Sequence, residues 1–401
     1  MTKIITPPLW LLVLIIALPQ ISETIYTPSL PDIARCLFVE CSAVEHTLTI
    51  YLFGFAVGVG LWGNISDHFG RKPIVIFGFM LYVLACIGCY LSNSIESLML
   101  FRFLQAFGGS VGSVLGQAIS RDAFALHERG RVFSIIGIAM SFSPALGPVI
   151  GGHLDQYFGW KSVFAFLCAI GLVTAVLTKT HLQETLLTTK DKFDGYTFFK
   201  NLIHVATNKR VICFALIVAG CNGIIFSYYA EGPFYFIDIL KMSPSHYGLM
   251  SLVYAIPFII GGLISKHLNK ISWPLHKILT LGVVIVLLSI TVFNFATEFS
   301  LISTQHPFSA IVLSIGFMMA SMLGIAILIP NSLSSALQGY TVNTGQAASV
   351  FGFMYYVLIA AFTYLMGILH DGTLLAMPRY FMGIAAMMYV VQRLFLNKKH
   401  I

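Results

Sequence analysis

The chain has 401 residues, 57% of them hydrophobic and only 10% charged, with a formal net charge of +7. A soluble domain carries about a quarter charged residues, so an ordinary water-soluble fold is excluded. The basic excess is spread over many short polar segments and forms no single patch, which argues against a nucleic-acid partner.

The apolar residues come in blocks long enough to cross a hydrocarbon core of ~30 Å, which needs about 20 helical residues. Twelve such blocks are predicted, near 8–27, 45–65, 73–92, 96–119, 132–154, 160–180, 209–230, 247–267, 276–296, 307–329, 346–369 and 373–396. They are continuous rather than alternating, so they predict helices and not barrel strands. The longest polar stretch, 181–208, is too short for a separate soluble domain. With both termini in the cytoplasm, eighteen of the 23 Lys and Arg fall on the cytoplasmic side, as the positive-inside rule requires. Arg35, Lys161, Lys241 and Arg379 fall outside, and Arg102 lies within a span.

The first block leads into Gln20, Ser22 and Glu23 without a small-residue cleavage pattern, so it reads as a helix and not a removable signal. Glu23 is the only acid in that block, and Tyr26-Thr27-Pro28-Ser29-Leu30-Pro31 follows it. Of seven cysteines, Cys36 and Cys41 share the first external loop; they could pair in an oxidising compartment or remain two free thiols.

Between the second and third blocks lies Gly63-Asn64-Ile65-Ser66-Asp67-His68-Phe69-Gly70-Arg71-Lys72, expected as a short charged turn bracketed by glycine. Arg102 sits in the fourth block, where a cation costs at least ~2.5 kcal/mol and should face water or a partner. The alternative is snorkelling to the nearer surface. Glu23 is its expected partner. Gly108, Gly109, Gly112 and Gly116 follow at roughly helical spacing and admit a neighbouring helix closely. The fifth block holds Ser143-Pro144-Ala145-Leu146-Gly147-Pro148-Val149-Ile150-Gly151-Gly152, where the two prolines each remove a backbone donor. Gln105, Asn222, Tyr228, Tyr229, Glu231 and Tyr26 are polar or aromatic residues in or near spans that could line a substrate cavity, or simply be structural.

The second half repeats the first. Gly262-Leu263-Ile264-Ser265-Lys266-His267-Leu268-Asn269-Lys270 aligns with Gly63 to Arg71, with Lys266 where the first copy has Asp67. Together with the basic linker this predicts an all-α membrane protein: twelve transmembrane helices in two pseudo-symmetric six-helix bundles, 1–180 and 209–401, joined by a cytoplasmic linker at 181–208.

The Gly63-to-Lys72 segment resembles the signature loop of the major facilitator superfamily of secondary transporters, with His68 where that family usually has Arg or Lys. The Gly147-Pro148 to Gly151-Gly152 pattern resembles that family's antiporter motif, in which Pro144 also takes part. Tyr26 to Pro31, Arg121-Asp122, Gly159-Trp160, Glu231-Gly232-Pro233-Phe234-Tyr235, Pro330-Asn331 and Gly345 to Ser349 resemble the Bcr/CflA branch of drug–proton antiporters. In that branch the acid lies two residues before the tyrosine, at the position of Thr24; Glu23 is one residue earlier.

The resemblance implies export of a drug, metabolite or siderophore, coupled to protons through Glu23 and Arg102. It also implies Gly63, Asp67, Gly70, Arg71 and Lys72 as a conformational device. The expected setting is a bacterial-type inner membrane, with small organic substrate and protons as partners and the chain acting as a monomer. An uptake symporter or facilitator is the alternative. An enzyme would need paired carboxylates, a Ser/His arrangement or a metal cluster within the spans, and only Glu23 and Arg102 are legible there. No histidine shows metal-ligand spacing, and no Gly-x-x-x-x-Gly-Lys-Ser/Thr loop is present, so no metal and no nucleotide or other cofactor is expected, only a proton gradient.

Overall fold

A computed structural model describes residues 6–186, 203–338, 340 and 344–396. Twelve long helices account for most of them: α1 Leu9–Leu37, α2 Cys41–Phe69, α3 Arg71–Leu91, α4 Ile95–Ala123, α5 Leu126–Phe158, α6 Lys161–His181, α7 Lys209–Ile239, α8 Pro244–Lys270, α9 Leu275–Glu298, α10 Pro307–Ala336, α11 Thr344–Leu369 and α12 Ala376–Phe395. All but α12 are apolar enough over 18 residues to cross a membrane by length and composition.

Several helices run beyond their apolar blocks. The first block ends near 27, yet α1 passes through one tight 3₁₀ turn at Thr27–Ser29 and resumes to Leu37. Pro28 and Pro31 each stand in the first turn of the segment they open, where the missing N–H is no loss. The seventh helix likewise continues past Pro233 with wider π-type turns over Phe234–Ile239. The 63–72 segment is not a ten-residue turn. Residues 63–69 complete α2, Gly70 alone makes the break, and α3 starts at Arg71. Gly70 has φ +92°, a conformation that costs L residues energy and glycine little.

The packing repeats with a period of six helices. In the first half α1 packs on α4 and α5, α2 on α4, α3 on α4 and α6; in the second α7 packs on α10 and α11, α8 on α10, α9 on α10 and α12. The halves meet along α2 against α11 and α5 against α8, which are images of each other under the same shift. Outward faces present Phe77, Leu84, Leu172, Leu288 and Leu365, a surface suited to acyl chains. In lipid there is little hydrophobic drive between helices, so close backbone approach and internal polar contacts must hold the bundles together. All seven cysteines are free thiols, Cys36 and Cys41 included. Of the linker, 187–202 lies outside the described residues.

Candidate functional site: an intrabundle cation, a central cavity and two clasped ends

Arg102 is wholly buried, so it does not snorkel. Its guanidinium lies 3.8 Å from the Tyr26 ring centroid and 4.1 Å from that of Tyr51, with Phe164 behind at 5.9 Å. Nη1 donates to Oε1 of Gln105, whose amide in turn donates to the Cys86 sulfur at 3.0 Å. Nε and Nη2 have no hydrogen-bond partner. Two cation–π contacts offset about 2 kcal/mol each when desolvated, less than the several kcal/mol that burying a cation costs. The site therefore needs a counter-charge.

Glu23 is the acid within electrostatic reach of that guanidinium, 1% exposed and so not a hydrated helix end. The two do not form an ion pair in this conformation, and Oε1 of Glu23 has no hydrogen-bond partner. Glu23 also acts electrostatically on Tyr51 of the first half and on Tyr229, Tyr355 and Tyr356 of the second.

Thr24, the neighbouring position, has a different task. Pro148 lacks the N–H that would bond the Pro144 carbonyl four residues back, and the Thr24 hydroxyl donates to that carbonyl at 2.9 Å. A carboxylate there could not donate. Gly147 and Gly151 let this stretch of α5 ride on α1 at Ile21 to Ile25; a Cβ at Gly147 would overlap the Thr24 hydroxyl and one at Gly151 the Ile25 carbonyl. Gly152 does the same against Pro244 of α8, and Gly248 against Pro148. The motif thus seats α5 on both α1 and the other half.

A cavity of about 650 Å³ opens between the halves, large enough for a drug-sized molecule. Gln20, Phe55, Val59, Tyr355 and Tyr356 line it, and Asp67, Arg71 and Asp122 border it at the Gly70 end. Tyr26, Gln105, Asn222, Tyr228, Tyr229 and Glu231 do not line it. The first two surround Arg102 inside the first half. Asn222 donates to the Val218 carbonyl of its own helix. Tyr228 stacks on Tyr247, meets Tyr229 at a tilt and Tyr254 edge-on. Glu231 sits at the opposite, closed end of the molecule.

At the Gly70 end, Arg71 is clasped between two acids: Nη1 is 2.7 Å from Asp67 and Nε donates to Asp122 at 3.0 Å. The Glu184 carboxylate accepts the backbone N–H groups of Arg71 and Lys72 at 3.0 and 3.1 Å, satisfying the start of α3. At the far end, His370 joins the halves: its Nδ1 is 2.8 Å from Oε2 of Glu231 and 3.2 Å from Oε1 of Glu45. Paired carboxylates are therefore present after all, Glu45 on α2 and Glu231 on α7. Spacing along the chain concealed them because they lie 186 positions apart. Asp122 and Glu184 were likewise missed as partners of Arg71; an acid adjoining Arg121 at the end of a span was the one available signal.

The profile of the Major Facilitator Superfamily matches residues 12–364. An uncharacterized transporter of Rickettsia bellii is 36% identical over 92% of this chain and 91% of its own length. A bicyclomycin resistance protein homolog of Haemophilus influenzae is 27% identical over 64% of this chain and 65% of its own. The xylose transporter XylE of E. coli, solved in a partially occluded inward open conformation, superposes with a TM-score of 0.75 at 12% identity over 100% of both chains, a likeness of fold alone.

Proposed function

The chain belongs to the Major Facilitator Superfamily, a family of membrane transporters and not of enzymes, needing no cofactor, and we propose that it is a proton-driven exporter of small, fairly hydrophobic organic compounds of the Bcr/CflA type. The observation that carries this reading is the place of Glu23. It is buried, unpaired, in reach of Arg102 on one side and of the cavity tyrosines Tyr355 and Tyr356 on the other.

A carboxyl in that position is controlled by its distance from one cation. When Arg102 approaches, the ionised form is favoured and the proton leaves; when Arg102 withdraws, burial favours the neutral form. Cargo entering the cavity displaces water beside the same tyrosines, so proton and cargo compete through one wall. The two halves, 1–180 and 209–401, rock about the α2/α11 and α5/α8 seams. The Gly70 end faces the cytoplasm of a bacterial-type inner membrane, because most Lys and Arg lie on that side. On this orientation the cavity opens toward the cytoplasm and the His370 end faces outward. The resemblance of Gly147-Pro148 to Gly151-Gly152 to the antiporter motif, together with the similarity to a resistance protein homolog, supports export over uptake.

The test is transport of an apolar cationic dye by everted membrane vesicles with and without an imposed proton gradient. Gradient-dependent uptake into everted vesicles, lost in Arg102→Ala with the protein still inserted, is the expected result. Uptake by right-side-out cells down a gradient would reverse the direction. In Glu23→Gln, dye binding should no longer vary with pH; an unchanged midpoint would assign the proton to another group.

A further inference from the structure

The closed end contains more buried negative charge than it can neutralise. Glu45 and Glu231 are both 0% exposed. Ligand atoms of Glu45, Glu231 and His370 all lie within 4.8 Å of one another. One ring nitrogen, Nδ1 of His370, faces both carboxylates. A single N–H there donates fully to only one of them, and it is Glu231 that receives the hydrogen bond. Both oxygens of Glu45 and Oε1 of Glu231 remain without a hydrogen-bond donor, although an oxygen of each carboxyl group lies within 4.8 Å of the other's.

Charge counting identifies what is missing. Contacts with Cys41, Glu231 and Glu45 push the His370 imidazole up to about 12, so it is a cation throughout the physiological range. One cation against two carboxylates leaves one net negative charge in a buried site. Two carboxylates in contact away from water cannot both stay ionised, and sharing a proton turns two orphan acceptors into a donor and an acceptor.

The surrounding groups do not alter that count. From α2, His46 and Cys41 face the cluster, and from α11's end Asp371 faces His370. From α7, Asp238 faces His370 but is neutralised by Arg35 of α1 at 3.2 Å. Lys241 also faces Asp238, and Arg379 also faces Asp371. Phe234 packs edge-on against the imidazole and keeps it dry on that side.

We propose that Glu45, Glu231 and His370 form a second proton-binding site, separate from Glu23 and Arg102, whose proton latches the two halves together at the His370 end. Glu45 belongs to the first half; Glu231 and His370 belong to the second. Parting the halves there leaves Glu231 with its imidazolium, a neutral pair, and takes the second carboxyl away, so no buried carboxyl pair remains to hold the shared proton. The proton of the Glu45–Glu231 pair is then released to that side. The closed state binds one proton more than the open state, so acid closes this end and alkali frees it. On the exporter reading, which fixes only the side this end faces, external protons favour the return of the emptied carrier to the state closed at this end.

Hydrogen–deuterium exchange of the full chain in lipid nanodiscs, read by mass spectrometry over 38–48, 234–243 and 369–376, tests the latch without any transport. With intrinsic amide rates corrected, exchange in these segments should slow by up to about tenfold per pH unit between about pH 8 and about pH 5.5, the limit for one linked proton. Glu45→Gln should flatten that response, and Glu231→Gln should flatten it independently, guarding against one variant that misfolds. A flat wild-type response, or a wild-type slope in both variants, overturns the proposal. So does protection that appears at alkaline pH on adding Zn²⁺ but never with acid, which would make the cluster a metal site. Because exchange reports the gate and not flux, failure of the exporter reading leaves this result unaffected.

Discussion

The junctions α2–α3 and α8–α9 occupy equivalent places in the two halves and are held by opposite chemistry. The first is ionic: Arg71 between Asp67 and Asp122, with Ser66 as a further acceptor and Glu184 beneath. The second is neutral. Asn269, in the place of Gly70, donates to the Ser265 carbonyl at 2.8 Å and to Oδ1 of Asn331 at 2.9 Å. Asn331 on α10 donates in turn to the Ser265 hydroxyl at 2.7 Å. Ser66 and Ser265 keep equivalent positions, and Lys270 keeps a basic residue in the place of Arg71, but Lys266 stands where the first copy has the acid Asp67. A neutral amide network carries no net charge and changes less with hydration than an ion pair, whose attraction scales inversely with the local dielectric. The ionic junction borders the cavity, where hydration changes as the halves move, and the amide junction is not among the cavity residues. One half thus carries a hydration-sensitive clasp and the other a fixed rivet.

The contrast breaks most easily at Arg71. Arg71→Ala leaves Asp67 and Asp122 facing each other without a cation, and should cost about 2–3 kcal/mol, reduced from the fully buried case by partial exposure; thermal unfolding in detergent would show it, together with turnover down more than about tenfold. Asn331→Leu removes the donor to the Ser265 hydroxyl and one of the two acceptors of the Asn269 amide, a cost of about 1–3 kcal/mol in stability. It should leave the salt dependence of turnover as in wild type, and an altered salt slope would deny the rivet its fixed character. Asp67→Asn keeps the hydrogen bond but removes one charge, and should slow interconversion several-fold at a cost of about 1 kcal/mol, seen as reduced dye turnover with unchanged dye affinity. Lys266→Ala at the matching position of the second copy is exposed and should change stability by less than about 0.5 kcal/mol. A large loss there would mean that the second junction is charge-sensitive after all.

How far each feature could be read in advance follows from the distance between its parts. Arg102, Glu23, Asp67 and Arg71 are charges set in apolar or glycine-bracketed surroundings, so a single residue against its neighbours in sequence is signal enough. The helices are as legible, since blocks of about 20 apolar residues have few other uses. Their ends are not, because α1 and α7 continue through proline-marked turns into short segments whose apolar residues are buried by other helices. Thr24 serving the Pro144 carbonyl joins α1 to α5, and the meeting of Glu45 and Glu231 at His370 joins the two halves.

Hydropathy and short-range motifs were sufficient for a twelve-helix, twofold-repeated membrane carrier with a cation buried in its first half, because lipid tolerates few other arrangements of such a chain. Which end stands open, which aromatic residues wall the cavity and which acids meet His370 depend on how separate helices cross. No local rule encodes such crossings, since the residues that meet there are hundreds of positions apart and only packing brings their charges within a few ångströms.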